Sequence, residues 1–181
     1  MRVITGTARG RKLKELSGMD TRPTTDKVKE SLFNIVQFDI EGRRVLDLFG
    51  GTGQLGIEAL SRGAASAVLV DVRREAAAII RENVENCGFS DRAKVVQGDY
   101  LAFLTSCRDK FDLIFLDPPY AEGLLEKALK TIAAIDIVSE NGIIVCESAL
   151  EKVLPELSAP YVVGREYRYG QIKLTTYRRA V

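Results

Sequence analysis

The sequence predicts an α/β fold in which helices cover both faces of a mostly parallel sheet of seven strands. Three observations support this prediction. From residue 44 on, short apolar runs alternate with amphipathic helical segments, and a glycine-rich turn follows the first apolar run. The last two β-rich runs meet at Gly170 with no helix between them. Alternating strands and helices require parallel pairing, whereas the last two runs must form an antiparallel C-terminal hairpin.

The first part of the chain is expected to form a short hairpin or arm and then a helix. Residues 1–20 are basic, and turn signals at Gly6 and Gly10 favour a hairpin or arm. Thr24 or Thr25 can cap the helix that follows. Its apolar stripe consists of Val28, Leu32, Ile35 and Val36.

The alternating region contains five predicted strands. They cover residues 45–49, 67–71, 94–99, 111–116 and 142–147. The predicted helices between them cover residues 54–62, 73–86, a short stretch through 101–104, and 122–135. The C-terminal hairpin is expected from residues 161–169 and 171–178. We find no linker or repeat, and we expect a single domain over residues 1–181.

Composition excludes several kinds of chemistry. The sequence has no histidine, which removes the usual general base, the histidine-dependent triads and most transition-metal sites. Cys87, Cys107 and Cys146 lie far apart, so neither a disulfide framework nor a metal site is predicted. No apolar run approaches the roughly 18 to 20 residues of a membrane span, and the N-terminus does not resemble a secretory signal. We therefore expect a cytoplasmic protein.

Charge is unevenly distributed along the chain, although the net charge is only +1. Residues 1–44 contain ten basic and six acidic residues, and residues 165–181 contain five and one. The part between them contains eleven basic and eighteen acidic residues. Basic ends can simply aid solubility. As a functional feature, they predict a phosphate-binding surface beside a site for a cationic ligand.

A glycine-rich turn follows the first predicted strand. Gly51, Gly53 and Gly56 have GxGxxG spacing, which allows a tight turn and a close approach of the backbone to a ligand. Asp71 ends the next strand about 20 residues later, where a carboxylate can bind ribose hydroxyls. Enzymes that use nicotinamide and enzymes that use S-adenosylmethionine both bind adenosine in this way, so the turn leaves both cofactors open.

Four carboxylates near predicted strand ends favour S-adenosylmethionine. Asp47 lies in the strand before the glycines, where it can face the amino end of the cofactor's methionine. Asp71, Asp99 and Asp117 follow in later strands, and such strand ends share one crevice. Carboxylates there would repel a pyrophosphate but are compatible with a sulfonium and an ammonium group. Any one of them alone could instead be a helix cap.

The motif Asp117-Pro118-Pro119-Tyr120 directly follows the predicted strand at 111–116. Two prolines cannot continue a ladder, so the chain must leave the sheet at the crevice. The Asp117 carboxylate and the Pro118 carbonyl can accept hydrogen bonds from an amino group, and Tyr120 can stack on a splayed base. Such contacts would orient an exocyclic amine towards a methyl donor. The alternative is a surface turn with an ordinary tyrosine.

This motif resembles the signature of amino-methyltransferases that act on nucleic acid bases. The wider pattern resembles the bacterial RsmD-type family, which methylates a guanine N2 amine in 16S ribosomal RNA. The most selective match is the block RPTTDKVKESLFN at residues 22–34, which precedes the glycine turn. Further matches lie at residues 1–4, 9–13, 45–49, 60–64 and 169–170. The resemblance therefore covers nearly the whole chain.

The resemblance implies a Rossmann-like class I fold that depends on S-adenosylmethionine and acts on ribosomal RNA, within the small subunit or its assembly intermediate. It implies that Asp47, Gly51 and Gly53 line the methionine side of the cofactor, that Asp71 holds the ribose and that Asp99 lies near the adenine. The full set of expected cofactor-binding residues is Asp47, Phe49, Gly51, Gly53, Asp71, Asp99 and Asp117.

The expected catalytic residues, which would hold the target guanine, are Asp117, Pro118, Pro119 and Tyr120. One departure from the family pattern is visible in the glycine turn. The chain has Gly-Gly-Thr-Gly-Gln at residues 50–54 where the pattern is Ala-Gly-Ser-Gly-Ala. The first two changes preserve the turn, and we expect Gln54 to face solvent.

Basic residues near the N-terminus are the candidates for contacts with the RNA backbone. Such contacts give affinity and salt dependence but not sequence choice. Arg22 could alternatively reach a cofactor carboxylate, or its block could simply begin a helix. The candidates are Arg2, Arg9, Arg11, Lys12, Lys14 and Arg22.

Three alternative functions remain open from the sequence. The same motif at residues 117–120 would serve a methyltransferase acting on a DNA adenine or a protein glutamine. An NAD-dependent oxidoreductase would explain the glycine turn and Asp71 but neither the motif nor the terminal hairpin. A non-catalytic RNA-binding module would bind RNA without transferring a methyl group.

Overall fold

The computed structural model describes residues 1–17, 25–121 and 123–180. After an N-terminal segment and helix α1 (Asp26–Ile35), strands and helices alternate. They are β1 (Arg44–Asp47), α2 (Gln54–Ser61), β2 (Ser66–Asp71), α3 (Arg74–Asn86), β3 (Ala93–Gln97), α4 (Tyr100–Ser106), β4 (Phe111–Leu116), α5 (Leu124–Ile135) and β5 (Val138–Ala149). The last two strands are β6 (Tyr161–Tyr169) and β7 (Ile172–Arg179).

The described strands form one seven-stranded sheet in the order β3-β2-β1-β4-β5-β7-β6. β1 to β5 pair in parallel, whereas β7 pairs antiparallel with both β5 and β6. The predicted mostly parallel sheet with an antiparallel C-terminal hairpin is therefore confirmed. The strand order reverses between β1 and β4, and the crevice at such a reversal is where open α/β sheets bind ligands.

Three strands differ from the prediction by two or more residues at an end. β1 ends at Asp47 rather than at residue 49. β5 begins at Val138, before the predicted start, because its register against β4 shifts between the pairs Phe111–Val138 and Leu113–Ile143. The residues between these pairs form an irregularity that a periodic apolar pattern does not reveal. β3 ends at Gln97 rather than at residue 99, because Asp99 instead caps helix α4.

The sheet carries a hydrophobic core on each face. Alternate residues of a strand point to opposite faces. In β4, Leu113 and Phe115 accordingly belong to the cluster that includes α1, α2 and α3. Ile114 and Leu116 belong to the cluster that includes α4 and α5. The carboxyl ends of β1 and β4 are thus held firmly from both sides.

Residues 1–17 fold back on themselves and pack against this core. Arg2 and Lys12 form an antiparallel bridge, and apolar side chains between and beside them are buried. Gly6 has a positive φ and lies so close to Ser61 that a Cβ there would clash with the Ser61 carbonyl. The Ser61 hydroxyl also accepts a hydrogen bond from the Ala8 amide at 2.9 Å. The segment is therefore seated on the last residue of α2.

A buried ion cluster joins α1 to α2. Lys29 Nζ lies 3.2 Å from Glu58 Oε1, and Arg62 Nε lies 2.9 Å from Glu58 Oε2. Burial lowers the pKa of Lys29, although the Glu58 carboxylate opposes this shift. Glu58 also accepts hydrogen bonds from the backbone amides of Ile4 and Thr5, at 2.8 and 3.0 Å. One carboxylate thus holds two helices and the N-terminal segment together.

Helix lengths bear on membrane insertion. The longest helix in the described part of the chain, α3, has 13 residues. A membrane span needs about 20 residues. Within residues 1–17, 25–121 and 123–180, no helix is both long and apolar enough to cross a membrane.

Candidate active site

A cleft of about 1380 Å³ opens at the carboxyl ends of β1, β2 and β4. A site for one small ligand usually measures roughly 300 to 1000 Å³. The cleft is therefore large enough for a cofactor and a second ligand side by side. The predicted site residues that line it are Asp47, Phe49, Gly51, Asp71, Asp99, Asp117, Pro118, Pro119 and Tyr120.

Gly51 and Gly53, the two glycines of the predicted set, have different surroundings in the turn between β1 and α2. Both have positive φ, +60° for Gly51 and +86° for Gly53. A Cβ on Gly51 would meet no atom within 4 Å, and this residue lines the cleft. Gly53 instead caps α2 and packs against Ile57 behind the turn. Gly51 is thus the glycine that leaves open space for a ligand.

Asp47 lies at the base of the cleft and is 1% exposed. Its Oδ2 accepts a hydrogen bond from the Gly56 amide at 3.1 Å, whereas the buried Oδ1 has no partner among the described residues. Burial raises the pKa of this carboxyl to about 8, the Gly56 bond opposes the rise, and Asp117 and Asp71 add to it. A buried acceptor without a donor suits a ligand that brings a cationic donor.

Gln54 does not face solvent, so that prediction was wrong. The side chain is 7% exposed and lines the cleft, and its Oε1 is buried without a partner among the described residues. Gln54 is the first residue of α2, and side chains in a helix tilt towards its N-terminus. That end of α2 opens into the cleft, which explains the burial.

Asp71 is already engaged by protein groups. Its Oδ2 accepts a hydrogen bond from the Gly51 amide at 2.9 Å, and its Oδ1 accepts one from the Arg73 amide at 2.9 Å. The Arg73 guanidinium also donates to both oxygens, at 3.1 and 3.2 Å. These four bonds use the acceptor positions of a carboxylate. A ribose hydroxyl would therefore have to displace the Arg73 guanidinium.

Asp99 is a helix cap, the alternative that the sequence left open for each carboxylate. Its Oδ2 accepts hydrogen bonds from the amides of Leu101 and Ala102, at 3.0 and 3.1 Å. The side chain remains exposed at the cleft. Beside it, the rings of Phe49 and Tyr100 lie 5.2 Å apart and form an aromatic wall of the cleft.

Residues 117–120 leave the sheet after β4 and form the opposite wall of the cleft. Asp117 and Pro118 are half-buried, whereas Pro119 is exposed and Tyr120 is 65% exposed. The Ala121 amide donates to the Pro119 carbonyl at 2.7 Å, which closes a tight turn. An acidic group therefore lies inside the cleft with an aromatic ring at its mouth.

The tip of the β6–β7 hairpin also reaches the cleft, a position that was not predicted from its residues. Arg168, Tyr169 and Gln171 line it, together with Thr25 and Lys27 from the start of α1. The only signals in the sequence were the match at Tyr169-Gly170 and the basic C-terminal region.

Five of the six predicted RNA-binding residues lie on the N-terminal segment, whose Met1, Glu15 and Leu16 line the cleft. Arg9, Arg11 and Lys12 are exposed. Two others pair with acidic residues, since Arg2 lies 3.9 Å from Asp26 and Lys14 lies 3.2 Å from Glu82. Arg22 lies outside the described residues.

Asn83 connects this segment to the glycine turn, a contact that no pattern in the sequence predicts. The side chain is fully buried on α3. Its Oδ1 accepts a hydrogen bond from the Lys14 amide at 2.7 Å, and its Nδ2 donates to the carbonyls of Lys14 and Thr52, at 3.0 and 2.9 Å. A shift of either loop would therefore disturb the other.

The strand order, the glycine turn and the cleft at the sheet reversal define a Rossmann-like class I methyltransferase fold. Residues 1–178 match the family described as Conserved hypothetical protein 95, and the chain belongs to this family. It is 35% identical to Ribosomal RNA small subunit methyltransferase D of Escherichia coli K12, over 99% of this chain and 90% of that protein. It is 41% identical to YlbH of Bacillus subtilis 168, over 99% of both chains. The predicted resemblance to the RsmD-type family is confirmed.

Solved structures agree with this assignment. The structure of yhhF from Escherichia coli superposes with a TM-score of 0.90 at 36% identity, covering 99% of this chain and 98% of that one. An RNA methyltransferase from Salinibacter ruber, solved in complex with S-adenosyl-L-homocysteine, has a TM-score of 0.66 at 16% identity, covering 88% and 94%. At that identity the second comparison supports the fold alone.

Proposed function

We propose that this protein transfers a methyl group from S-adenosylmethionine to the exocyclic N2 amine of a guanine in 16S ribosomal RNA. The observation that carries the proposal is the position of Asp117 to Tyr120 on the same cleft as Asp47 and the glycine turn. The family and its relative named as a small-subunit ribosomal RNA methyltransferase support the choice of substrate.

The residues around the glycine turn fit the proposed cofactor. When bound, S-adenosylmethionine supplies a methyl group made electrophilic by a sulfonium. Asp47 Oδ1, buried and without a partner among the described residues, is suited to accept a hydrogen bond from the cofactor's ammonium group. Gly51 leaves space for close approach. The full proposed cofactor set is Asp47, Phe49, Gly51, Gly53, Asp71, Asp99 and Asp117, with Gly53 acting through the shape of the turn.

The proposed target site is formed by Asp117, Pro118, Pro119 and Tyr120. The Asp117 carboxylate and the Pro118 carbonyl accept hydrogen bonds from the N2 amine, while Tyr120 stacks on the flipped base. With the cofactor bound, N2 would take up the methyl carbon as the bond from that carbon to sulfur breaks, and N2 would then lose one proton. We propose that the Asp117 carboxylate receives this proton. Alignment of the amine with the methyl group supplies most of the rate gain.

The proposed partner is ribosomal RNA within the small subunit or its assembly intermediate. The exposed side chains of Arg9, Arg11 and Lys12 lie on the segment that borders the cleft and would contact phosphates. Arg2, Lys14 and Arg22 belong to the same proposed set. The proposal also includes a cytoplasmic location and one methyltransferase domain over residues 1–181.

The test is methyl transfer from labelled S-adenosylmethionine to small ribosomal subunits that lack the modification, followed by nucleoside analysis. Label in N2-methylguanine supports the proposal. Label in another nucleoside would overturn the choice of base, and label in DNA or protein would favour those amines. RNA binding without any transfer would indicate a non-catalytic module. Thermal stabilisation by NAD instead of S-adenosylmethionine would indicate an oxidoreductase.

A further inference from the structure

Two buried acceptor atoms without partners lie in the same cleft. They are Asp47 Oδ1 and Gln54 Oε1, and neither has a hydrogen-bond partner among the described residues. Both side chains are more than nine-tenths buried. Buried polar atoms are nearly always hydrogen-bonded in folded proteins, because an unpaired one loses its bonds to water and gains nothing. Two such atoms in one cleft therefore point to a missing donor.

The two acceptors are held at the same end of α2. Asp47 is fixed by the bond from the Gly56 amide to its other oxygen, and Gln54 is the first residue of the helix. Both acceptors therefore lie at the start of α2 in one cleft, where a ligand group with several N–H donors is the kind of partner they lack. An ammonium group has three donors and no acceptor, so one carboxylate oxygen alone cannot satisfy it.

We propose that Gln54 is a cofactor-binding residue whose Oε1 accepts, together with Asp47 Oδ1, hydrogen bonds from the ammonium group at the amino-acid end of S-adenosylmethionine. The inference rests on the proposed function, because it takes the cofactor from there. It concerns a position where this chain has glutamine and the family pattern has alanine.

An amide suits this position better than a second acid. A carboxylate beside Asp47 would add like-charge repulsion and raise the cost of ionising either group. The neutral Gln54 amide provides an acceptor without that cost. An alanine there would remove the unpaired acceptor but would leave the ammonium with one protein acceptor fewer.

The test is calorimetric titration with two ligands, S-adenosylhomocysteine and its analogue that lacks the amino group. We expect Gln54→Ala to weaken binding of S-adenosylhomocysteine about 10- to 150-fold, the size of one hydrogen bond to a charged group. Binding of the analogue should change less than about twofold on the same grounds. Gln37→Ala, which alters an exposed glutamine after α1, serves as the matched control and should change neither.

The outcomes separate the two proposals. Equal weakening for both ligands, or no weakening for either, would overturn the role of Gln54. Failure of the unaltered protein to bind S-adenosylhomocysteine would instead overturn the cofactor assignment. Thermal unfolding without ligand provides the check on folding. Gln54→Ala should melt no lower than the unaltered protein, because it removes a buried unpaired acceptor.

Discussion

The ammonium group of Lys29 lies 3.2 Å from the carboxylate of Glu58, and both side chains are fully buried. Lys29 also donates to the Arg2 carbonyl at 3.0 Å, while Glu58 accepts from the amides of Ile4 and Thr5. The pair therefore fixes the N-terminal segment, which borders the cleft, as well as the two helices that carry it. Removing Lys29 would leave the buried Glu58 carboxylate with Arg62 as its remaining cationic partner among the described residues, whereas removing Glu58 would leave the Lys29 ammonium group buried without its counter-ion.

Lys29→Met should lower the free energy of unfolding by about 3 to 5 kcal/mol, the usual cost of breaking a buried ion pair from one side. Urea unfolding measures this change. The matched control is Lys110→Met, because Lys110 lies 3.8 Å from Asp136 in an exposed pair and should cost about 1 kcal/mol or less. A loss below about 1 kcal/mol for Lys29→Met would show that the buried pair does not fix the segment.

Asp47→Asn should stabilise the protein without ligand at pH 8 and weaken cofactor binding. Folding raises the pKa of the Asp47 carboxyl from 3.8 to about 8. Between these two pKa values the folded state retains a proton that the unfolded state releases. The free energy of unfolding that the Asp47 carboxyl contributes below pH 3.8 is therefore lost as the pH rises to about 8. Asparagine cannot ionise and avoids this loss. Thermal melting should shift upwards by roughly 2 to 4 °C for each kcal/mol gained.

The same carboxyl predicts a pH dependence of binding. A cationic ligand group favours the ionised form, so binding between about pH 6 and 8 should release a proton, and affinity should rise with pH. Calorimetry in buffers of different ionisation enthalpy counts the protons. The release should be absent in Asp47→Asn. For the stability prediction, a melting temperature of Asp47→Asn below that of the unaltered protein at pH 8 would show that ionisation of the buried Asp47 carboxyl does not lower stability at this pH.

Tyr120 should act through its ring and not through its hydroxyl. The side chain is 65% exposed at the mouth of the cleft. Stacking of a base on an aromatic ring contributes about 1 to 3 kcal/mol. Tyr120→Ala should therefore raise KM for the RNA substrate roughly 5- to 150-fold, whereas Tyr120→Phe should stay within about twofold. Equal effects of both variants in steady-state assays would assign the role to the hydroxyl.

The exposed basic residues of the N-terminal segment should govern the salt dependence of RNA binding. Replacing Arg9, Arg11 and Lys12 together by alanine should reduce the slope of log K against log salt by about two to three units. Fluorescence anisotropy at several salt concentrations measures this slope. Replacing Arg108 and Lys110, which are exposed beside the start of β4, should leave it unchanged. Equal slopes for the two variants would show that Arg9, Arg11 and Lys12 do not contact the RNA phosphates.

Much of the fold followed from local patterns in the sequence. Apolar runs alternating with amphipathic segments predicted the parallel strands, and the two β-rich runs around Gly170 predicted the antiparallel hairpin. Asp47 and the motif at residues 117–120 could be placed on one cleft, because the carboxyl ends of parallel strands meet at one edge. Each strand, turn and motif is formed by residues near one another in the chain, and the parallel pairing of the strands then brings their carboxyl ends together.

The features that escaped prediction depend on contacts between distant parts of the chain. Asn83 contacts Lys14 and Thr52, and no local pattern connects these three residues. Gln54 was assigned to solvent because a polar residue at a helix start is usually exposed. Its burial depends on how α2 meets the cleft. Arg73 occupies the oxygens of Asp71 through a side-chain conformation that the sequence does not specify.

The proposed reaction and the role of Asp117 are tested together by single-turnover methyl transfer, in which the unaltered protein and Asp117→Ala are compared on small ribosomal subunits lacking the modification. We expect label in N2-methylguanine for the unaltered protein. We expect a rate lower by about 10² to 10⁴ for the variant, typical of losing a group that handles the transferred proton. Label in a different nucleoside, or an unchanged rate for Asp117→Ala, would contradict the proposed reaction.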